Sequence, residues 1–171
     1  ACDGAGSFIF PANGANTPVE ILESDAPLVV ERRELLTDSG GPGRQRGALG
    51  RREVIRVPDD DQAPLPPVQL ALQSGRFRLP PDGLDGGRPG ACAQFLVNGK
   101  PGNPYGLTQL KPGDRVVMDS AGGGGYGDPN RRDRAAIERD LAEGKVSRAA
   151  AVREYGYAVA TAKEADDVTS R

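Results

Sequence analysis

The sequence predicts a mainly β fold with many Gly- and Pro-rich turns, closed by a C-terminal pair of short α-helices, an α+β arrangement. Three observations predict this fold class. The 171 residues include 24 Gly and 15 Pro, which is more helix breakers than a helical protein tolerates. Apolar and β-branched residues occur in short runs between these breakers, as in short strands. After Pro129 the apolar spacing becomes that of an amphipathic helix.

The predicted strands are short segments that begin and end at turn residues. They cover residues 28–36, 52–57, 68–79 and 115–119. Residues 91–97 run into Asn98-Gly99, a pair that favours the positive φ angles of a type I′ turn and therefore predicts a hairpin. Two segments are predicted to lack strands and helices. Residues 1–27 are loop-like, and residues 58–67 form a solvated connection because they hold three Asp and four Pro.

Two short helices are predicted after residue 129. The first has Asp133 as its N-cap and Gly144 just past its end. Between them, Ala136, Ile137, Asp140 and Leu141 follow the spacing of one face of an amphipathic helix. The second begins at Ser147 and ends at Gly156. We therefore divide the chain into a β-rich region over residues 1–129, a helical hairpin over 130–157 and a flexible tail over 158–171.

Composition excludes several kinds of function. Lys+Arg is 22 and Asp+Glu is 24, so the net charge of −2 gives no reason to expect a nucleic acid as partner. No run of about 20 apolar residues is present to span a membrane. The chain has no histidine, which excludes Ser-His-Asp and Cys-His arrangements and removes the commonest metal ligand. Cys2 and Cys92 lack zinc-site spacing, so no metal ligand is assigned.

The first candidate site is the run Asp38-Ser39-Gly40-Gly41. It combines a carboxylate, a hydroxyl and permissive backbone, and it predicts either a structural turn or the lining of a substrate pocket or passage. Ser39 as a nucleophile would require a neighbouring base, and the sequence offers no histidine for that role.

The second candidate site is the glycine run Gly122, Gly123, Gly124, Gly125 with Tyr126. Its backbone N–H groups are candidates to bind an oxyanion or phosphate, as glycine nests do. It lacks the Lys-Ser/Thr ending of a phosphate-binding P-loop. The alternative is a packing loop, in which glycine permits tight turns and close backbone contact. We expect Gly124→Val to damage folding, on the premise that this glycine has a positive φ angle.

The third candidate site is a basic cluster of Arg44, Arg46, Arg51 and Arg52. Arginine pairs well with phosphate and carboxylate, so the cluster is a candidate contact for an anion or an acidic partner subunit. The alternative is a solvated surface on which these arginines pair with neighbouring acidic side chains, namely Glu31, Glu34 and Glu53.

Four ordered blocks resemble the hydantoinase B/oxoprolinase family. They are Asn-Thr-Pro-Val-Glu at 16–20, Asp-Ser-Gly-Gly-Pro-Gly-Arg-Gln-Arg-Gly at 38–47, Gly-Gly-Arg-Pro-Gly at 86–90 and Gly-Gly-Gly-Gly-Tyr-Gly-Asp-Pro at 122–129. The predicted helix pair follows the last block. The resemblance covers nearly all of this chain but only about the last third, the C-terminal part, of a usual family member.

The resemblance implies a function in a multi-subunit, cytoplasmic hetero-oligomer. Members work with a hydantoinase A-type subunit that uses ATP, and they open cyclic amides such as hydantoins or 5-oxoproline. Related complexes carboxylate small ketones such as acetone or acetophenone, which is the alternative reaction. The implied divalent metal belongs to a histidine-bearing N-terminal B-type part, so this chain is expected to bind no cofactor itself. A non-catalytic structural or assembly subunit is the third possibility, and the isolated chain is expected to be inactive.

Overall fold

The computed structural model describes residues 2–6, 17–59, 68–73 and 75–158, and the predicted α+β fold is confirmed. Its elements, in chain order, are α1 (Val19–Asp25), β1 (Val29–Leu35), β2 (Arg51–Arg56), β3 (Val68–Gln73), β4 (Gln94–Val97), β5 (Lys100–Pro101), β6 (Tyr105–Leu110), β7 (Arg115–Asp119), a 3-10 helix (Pro129–Arg131), α2 (Arg134–Ala142) and α3 (Arg148–Tyr155). Apart from Pro58, Asp59 and Ala158, the predicted connection over 58–67 and the tail over 158–171 lie outside these residues.

Two antiparallel sheets enclose the main hydrophobic core. The larger sheet has the strand order β1-β2-β7-β4-β5, and β3 pairs with β6 in a separate two-stranded sheet. Ile55, Phe95 and Val116 of the larger sheet are almost fully buried, and Leu110 of β6 joins them. Partly buried side chains of β3, such as Leu70, pack against this cluster. The two sheets are therefore held together by burial of apolar surface, at about 25 cal/mol for each Å².

Local sequence signals place the turns and helix ends where the sequence predicts them. Asn98 and Gly99 both have positive φ angles, 50° and 77°, in the tight turn between β4 and β5. The Asp133 carboxylate accepts a hydrogen bond from the N–H of Ala135 at the start of α2. The Ser147 hydroxyl accepts one from the N–H of Ala150 at the start of α3, which ends at Gly156 in the left-handed region. These caps confirm the predicted helix pair.

Three elements differ from the sequence-based predictions. Residues 19–25 form α1, although residues 1–27 were predicted as loop; Pro18, whose φ of −52° suits a helix start, precedes it, and Glu20 lies in its first turn. Strand β3 ends at Gln73 rather than near residue 79. Strand β6 was not predicted, because its pairing partner β3 lies more than 30 residues away in the chain and Gly106 interrupts the apolar alternation.

A glycine bundle forms a separate layer beside the sheets. We define it as residues 39–50, 82–91 and 121–127, three segments without long strands or helices that lie side by side. Each segment donates backbone hydrogen bonds to another. They include Gly41 N to Gly123 O (2.8 Å), Gly123 N to Ala48 O (2.8 Å), Arg88 N to Pro42 O (2.7 Å) and Gly125 N to Arg88 O (2.9 Å). These hydrogen bonds pair many of the polar backbone groups that the packing of the segments buries.

Glycine is required in the bundle because the backbones approach too closely for a side chain. A Cβ atom at Gly47 would lie 2.0 Å from the carbonyl oxygen of Gly123, and one at Gly122 would lie 1.8 Å from that of Ser39. Gly124 does not have the positive φ angle on which the sequence-based expectation depended. Its constraint is instead the carbonyl oxygen of Asp82, 1.8 Å from the position that its Cβ would occupy.

We expect Gly124→Ala to lower the free energy of unfolding by about 3 kcal/mol or more, since backbone atoms must move to admit the methyl group. Thermal or urea unfolding of the purified chain measures the change. Gly106→Ala is the matched control, because the nearest atom to its added Cβ is Asn103 Nδ2 at 3.6 Å, an ordinary contact. Equal stability of the Gly124→Ala chain and the wild-type chain would contradict the close packing of the bundle.

Candidate functional site

A cleft of about 340 Å³ lies between the glycine bundle and the helix pair. One wall is formed by bundle residues such as Gly40, Pro42 and Arg88, and the other by Val146 and residues of α3. Of the run Asp38-Ser39-Gly40-Gly41, Asp38 and Gly40 line this cleft. Its volume is in the range of small-molecule sites in proteins.

Asp38 lies on the rim of the cleft and joins the bundle to the helix pair. Its backbone is in the left-handed region, with a φ of 62°, where Asp is one of the few residues other than Gly to be tolerated. The Asp38 N–H donates to the carbonyl of Lys145 (3.0 Å). Asp38 Oδ1 accepts from the N–H of Ser147 (2.7 Å) at the start of α3. These two hydrogen bonds hold Asp38 in its unusual conformation.

Ser39 is buried and its hydroxyl is engaged on both sides. The Ser39 hydroxyl donates to the carbonyl of Leu36 (2.6 Å) and accepts from the N–H of Gly50 (2.8 Å). Its side chain is only 3% exposed. The hydroxyl therefore closes the loop between residues 36 and 50, and in this arrangement it points at backbone rather than into the cleft.

The glycine run of the second candidate site contributes its amides to the bundle. Of the N–H groups of Gly122 to Tyr126, four donate to backbone carbonyls at 2.8–3.1 Å; these belong to Gly122, Gly123, Gly125 and Tyr126. Those four donors are already used, and an oxyanion or phosphate would have to displace protein carbonyls to reach them. Tyr126 itself is 43% exposed.

The four arginines of the third candidate site do not form one cluster. Arg51 pairs with Glu53, as expected, but Arg52 pairs with Asp119 on β7 (2.6 Å) rather than with a neighbouring Glu. Arg44 is exposed, and among the described residues its side chain has no ion pair. Arg46 is 5% exposed and lies inside the molecule. Strand direction and burial therefore place the four side chains in different surroundings.

Arg46 belongs to a network of four charged groups, three of them buried, that was not predicted from the sequence. Asp140 of α2 lies at its centre, with Oδ2 3.0 Å from Arg46 Nε and 2.7 Å from Arg132 Nη2. Asp3 completes it, with Oδ1 and Oδ2 2.7 Å and 2.8 Å from the two terminal nitrogens of Arg132. Two arginines and two aspartates balance in charge, as buried ions require.

The network shifts the pKa values of Asp3 and Arg132 toward the charged forms. Burial raises the pKa of the Asp3 carboxyl, but hydrogen bonds from Arg132 and the Arg46 backbone outweigh this and lower it. Burial lowers the pKa of Arg132, but the hydrogen bond and field of Asp3 and the field of Asp140 leave it raised. One sequence feature could have indicated this network. Asp140 lies on the face of α2 that also carries Ile137 and Leu141, so its carboxylate was bound to be buried with them.

We expect Asp140→Asn to lower the free energy of unfolding by about 3–5 kcal/mol, because it leaves two buried guanidinium groups with too little negative charge. Urea unfolding at neutral pH measures the loss. Arg134→Gln is the control: it removes the exposed Arg134–Glu138 pair and the contact of Arg134 with the Tyr157 ring, and we expect a loss of at most about 1 kcal/mol. Similar small losses in both variants would show that the network does not hold α2 in place.

Tyr155, at the base of the cleft, gives the helix pair a pH dependence. Burial, as the main cause, raises its pKa to about 12, from 10.0 for an exposed phenol. A raised pKa means that folding disfavours the ionised form. The contribution is therefore fully present below pH 10 and is lost as the pH rises from 10 toward 12. We expect the unfolding free energy of the wild type to fall in this interval.

Tyr155→Phe should remove part of that fall, and denaturation curves at pH 9 to 12 would measure it; Tyr126→Phe is the exposed control. Ultraviolet titration of the folded chain should show one phenol that ionises later than the others. An unchanged pH profile for Tyr155→Phe would contradict this assignment.

The described residues contain no group of three or more His, Cys, Asp and Glu side chains arranged to hold a metal ion. Within the same residues, no helix is long and apolar enough to cross a membrane.

Comparison with known proteins identifies the family. Residues 1–129 match the family Hydantoinase B/oxoprolinase. Caprolactamase subunit beta of Pseudomonas jessenii is 34% identical over 151 residues, which cover 82% of this chain and 25% of that subunit. The chain spans about a quarter of the length of three curated relatives and about a tenth of the length of three longer ones.

Two solved structures share the fold. The crystal structure of the ATP-dependent caprolactamase from Pseudomonas jessenii matches with a TM-score of 0.64 and 29% identity, over 83% of this chain and 25% of that chain. The nucleotide-free structure of an acetone carboxylase matches with a TM-score of 0.68 over 93% of this chain and 28% of that chain; at 19% identity this likeness shows the fold alone. The family match covers most of the sequence, and the chain therefore belongs to the hydantoinase B/oxoprolinase family.

Proposed function

We propose that the chain is part of an ATP-dependent cyclic-amide hydrolase of the hydantoinase and 5-oxoprolinase kind. The observation that carries this proposal is the 34% identity to caprolactamase subunit beta, which extends over 82% of the chain. Caprolactam is a cyclic amide, and the caprolactamase with a matching solved structure is described as ATP-dependent. Opening of a lactam such as caprolactam adds water across the amide bond and yields an amine and a carboxylate.

In this proposal the ATP and the metal are bound elsewhere in the enzyme. ATP binds to a hydantoinase A-type partner subunit, and a divalent metal binds to a histidine-bearing N-terminal B-type part. The residues described here do not fit either group. They offer no three-residue metal cluster, and four amides of the glycine run already donate to protein carbonyls. The assembled enzyme is a hetero-oligomer.

The contribution of this chain is then to support and border the active site rather than to perform the chemistry. Ser39 has no basic neighbour that activates it, since its hydroxyl donates to Leu36 and accepts from Gly50. The glycine bundle supplies a rigid layer whose backbone groups are hydrogen-bonded to one another. Asp38 and Arg88 place charged side chains at the cleft between this layer and the helix pair.

The carboxylase alternative has less support. The acetone carboxylase structure matches at 19% identity, so its likeness argues for a common fold and favours neither reaction. The sequence identity to caprolactamase subunit beta is higher, at 34% over 82% of the chain.

Purification of the native species, with its subunits identified by native mass spectrometry, tests the proposal. We expect the chain to be recovered with an A-type ATPase and a histidine-bearing B-type part. That complex should open caprolactam, hydantoin or 5-oxoproline only when ATP is supplied, and a non-hydrolysable ATP analogue should not replace it.

The isolated chain should show no amidase, carboxylase or ATPase activity. A stable monomer recovered without partners would contradict the proposal. So would turnover by the purified chain alone that is abolished by Asp38→Asn or Ser39→Ala, because the catalytic groups would then lie in this chain.

A further inference from the structure

The cleft beside α3 carries opposite charges at its two ends. Asp38 binds the N–H of Ser147, which precedes the first turn of α3, and Glu154 lies in the last turn with Arg88 and Arg153 around it. Seven residues of helix, from 147 to 154, correspond to about 10 Å at 1.5 Å per residue. All of these groups except Ser147 line the cleft, so the charged side chains of both ends border the same cleft.

Most N–H donors of the two arginines at the positive end have no hydrogen-bond partner among the described residues. Arg88 Nη1 and Arg153 Nε each donate to Glu154, and no other side-chain donor of either arginine has a partner among the described residues. A guanidinium group carries five N–H donors, so most of those at this end remain available. Two arginines against one glutamate leave a net charge of +1. Arg88 and Arg153 are 49% and 66% exposed, which leaves them accessible from solvent.

The negative end has an unused acceptor. Asp38 Oδ1 accepts the N–H of Ser147, while Asp38 Oδ2 accepts no hydrogen bond from the described residues. A left-handed backbone conformation, rare for a residue other than glycine, holds this carboxylate at the rim of the cleft.

The surface between the two ends is apolar. Pro42 and Ala91 of the glycine bundle contribute one side of it, and the nearly buried Val146 and Ala150 contribute the other. An aliphatic chain placed there removes apolar surface from water on both walls. A ligand complementary to the cleft is therefore cationic at the end that meets Asp38, anionic at the end that meets the arginines, and apolar between them.

We propose that this cleft binds a linear amino carboxylate, with its ammonium group on Asp38, its carboxylate on Arg88 and Arg153, and its methylene chain along the apolar walls. Binding of this ligand class is argued from the cleft alone. Its reading as a product site rests on the proposed function, because opening of a lactam releases a linear amino carboxylate.

Calorimetric titration of the chain, in the form in which it purifies, with 6-aminohexanoate tests the proposal. We expect saturable binding, and binding about 10-fold weaker for hexanoate and for hexylamine, since each lacks one charged hydrogen-bonding end. Absence of saturation up to about 10 mM 6-aminohexanoate would overturn the proposal, and so would equal affinity for either single-charge analogue.

Variants assign the two ends. Arg88→Gln and Arg153→Gln should weaken binding of 6-aminohexanoate and hexanoate but leave that of hexylamine unchanged. Asp38→Asn should weaken 6-aminohexanoate and hexylamine and leave hexanoate unchanged. Arg134→Gln, an exposed arginine that does not line the cleft, is the control and should change none of them.

Asp38 also supports α3, so each variant is first compared with the wild type by thermal melting. The two arginine variants keep the test decisive if Asp38→Asn melts early, because both side chains are largely exposed. Affinity for 6-aminohexanoate that does not change in Arg88→Gln and Arg153→Gln would overturn the proposal. The subunits that purify with the chain are a separate result, so failure here and failure of the proposed enzyme role are distinguishable.

Discussion

Close approach of backbone segments in the glycine bundle is the constraint on which the rest of the structure depends. Three segments from distant parts of the chain hydrogen-bond to one another through their main chains, as extended strands do, but without forming long ladders. They reach bonding distance because glycine occupies the contact points, where a Cβ atom would overlap a carbonyl oxygen of the next segment. The high glycine content of the sequence is thus a packing requirement and does not signal disorder.

The bundle also explains how the two hydrophobic clusters become one molecule. The cluster between the sheets and the cluster around α2 and α3 have no buried residue in common. The bundle lies between them, and its Arg46 reaches Asp140 of α2 within the buried charge network. A buried charge without its partner is strongly destabilising. The Arg46–Asp140 pair therefore favours the one position of α2 on the bundle in which both charges are paired. The candidate cleft exists at this junction, where the helix pair and the bundle leave apolar surface between charged ends.

Local features of the fold followed from the sequence, and features made by distant residues did not. Asn98-Gly99, Asp133, Ser147 and Gly156 act within a few residues of themselves, and each lies in the turn or cap that was predicted. Strand β6 is stabilised by its pairing with β3, and no pattern within residues 105–110 predicts a pairing with so distant a segment. The candidate site was only partly predictable for the same reason. Asp38 was named from its motif, whereas Arg88, Arg153 and Glu154 meet only when α3 docks on the bundle.

Native-state hydrogen exchange of the bundle amides tests most directly whether the glycine segments form a structural layer. The amides of Gly122, Gly123 and Gly125 donate to carbonyls of neighbouring segments at 2.8–3.1 Å. The account predicts that they exchange as slowly as the amides of Val54 and Val117 in the central strands, which open only in global unfolding. Exchange at the rate of an unstructured peptide would contradict it and would restore these N–H groups as candidates for anion binding.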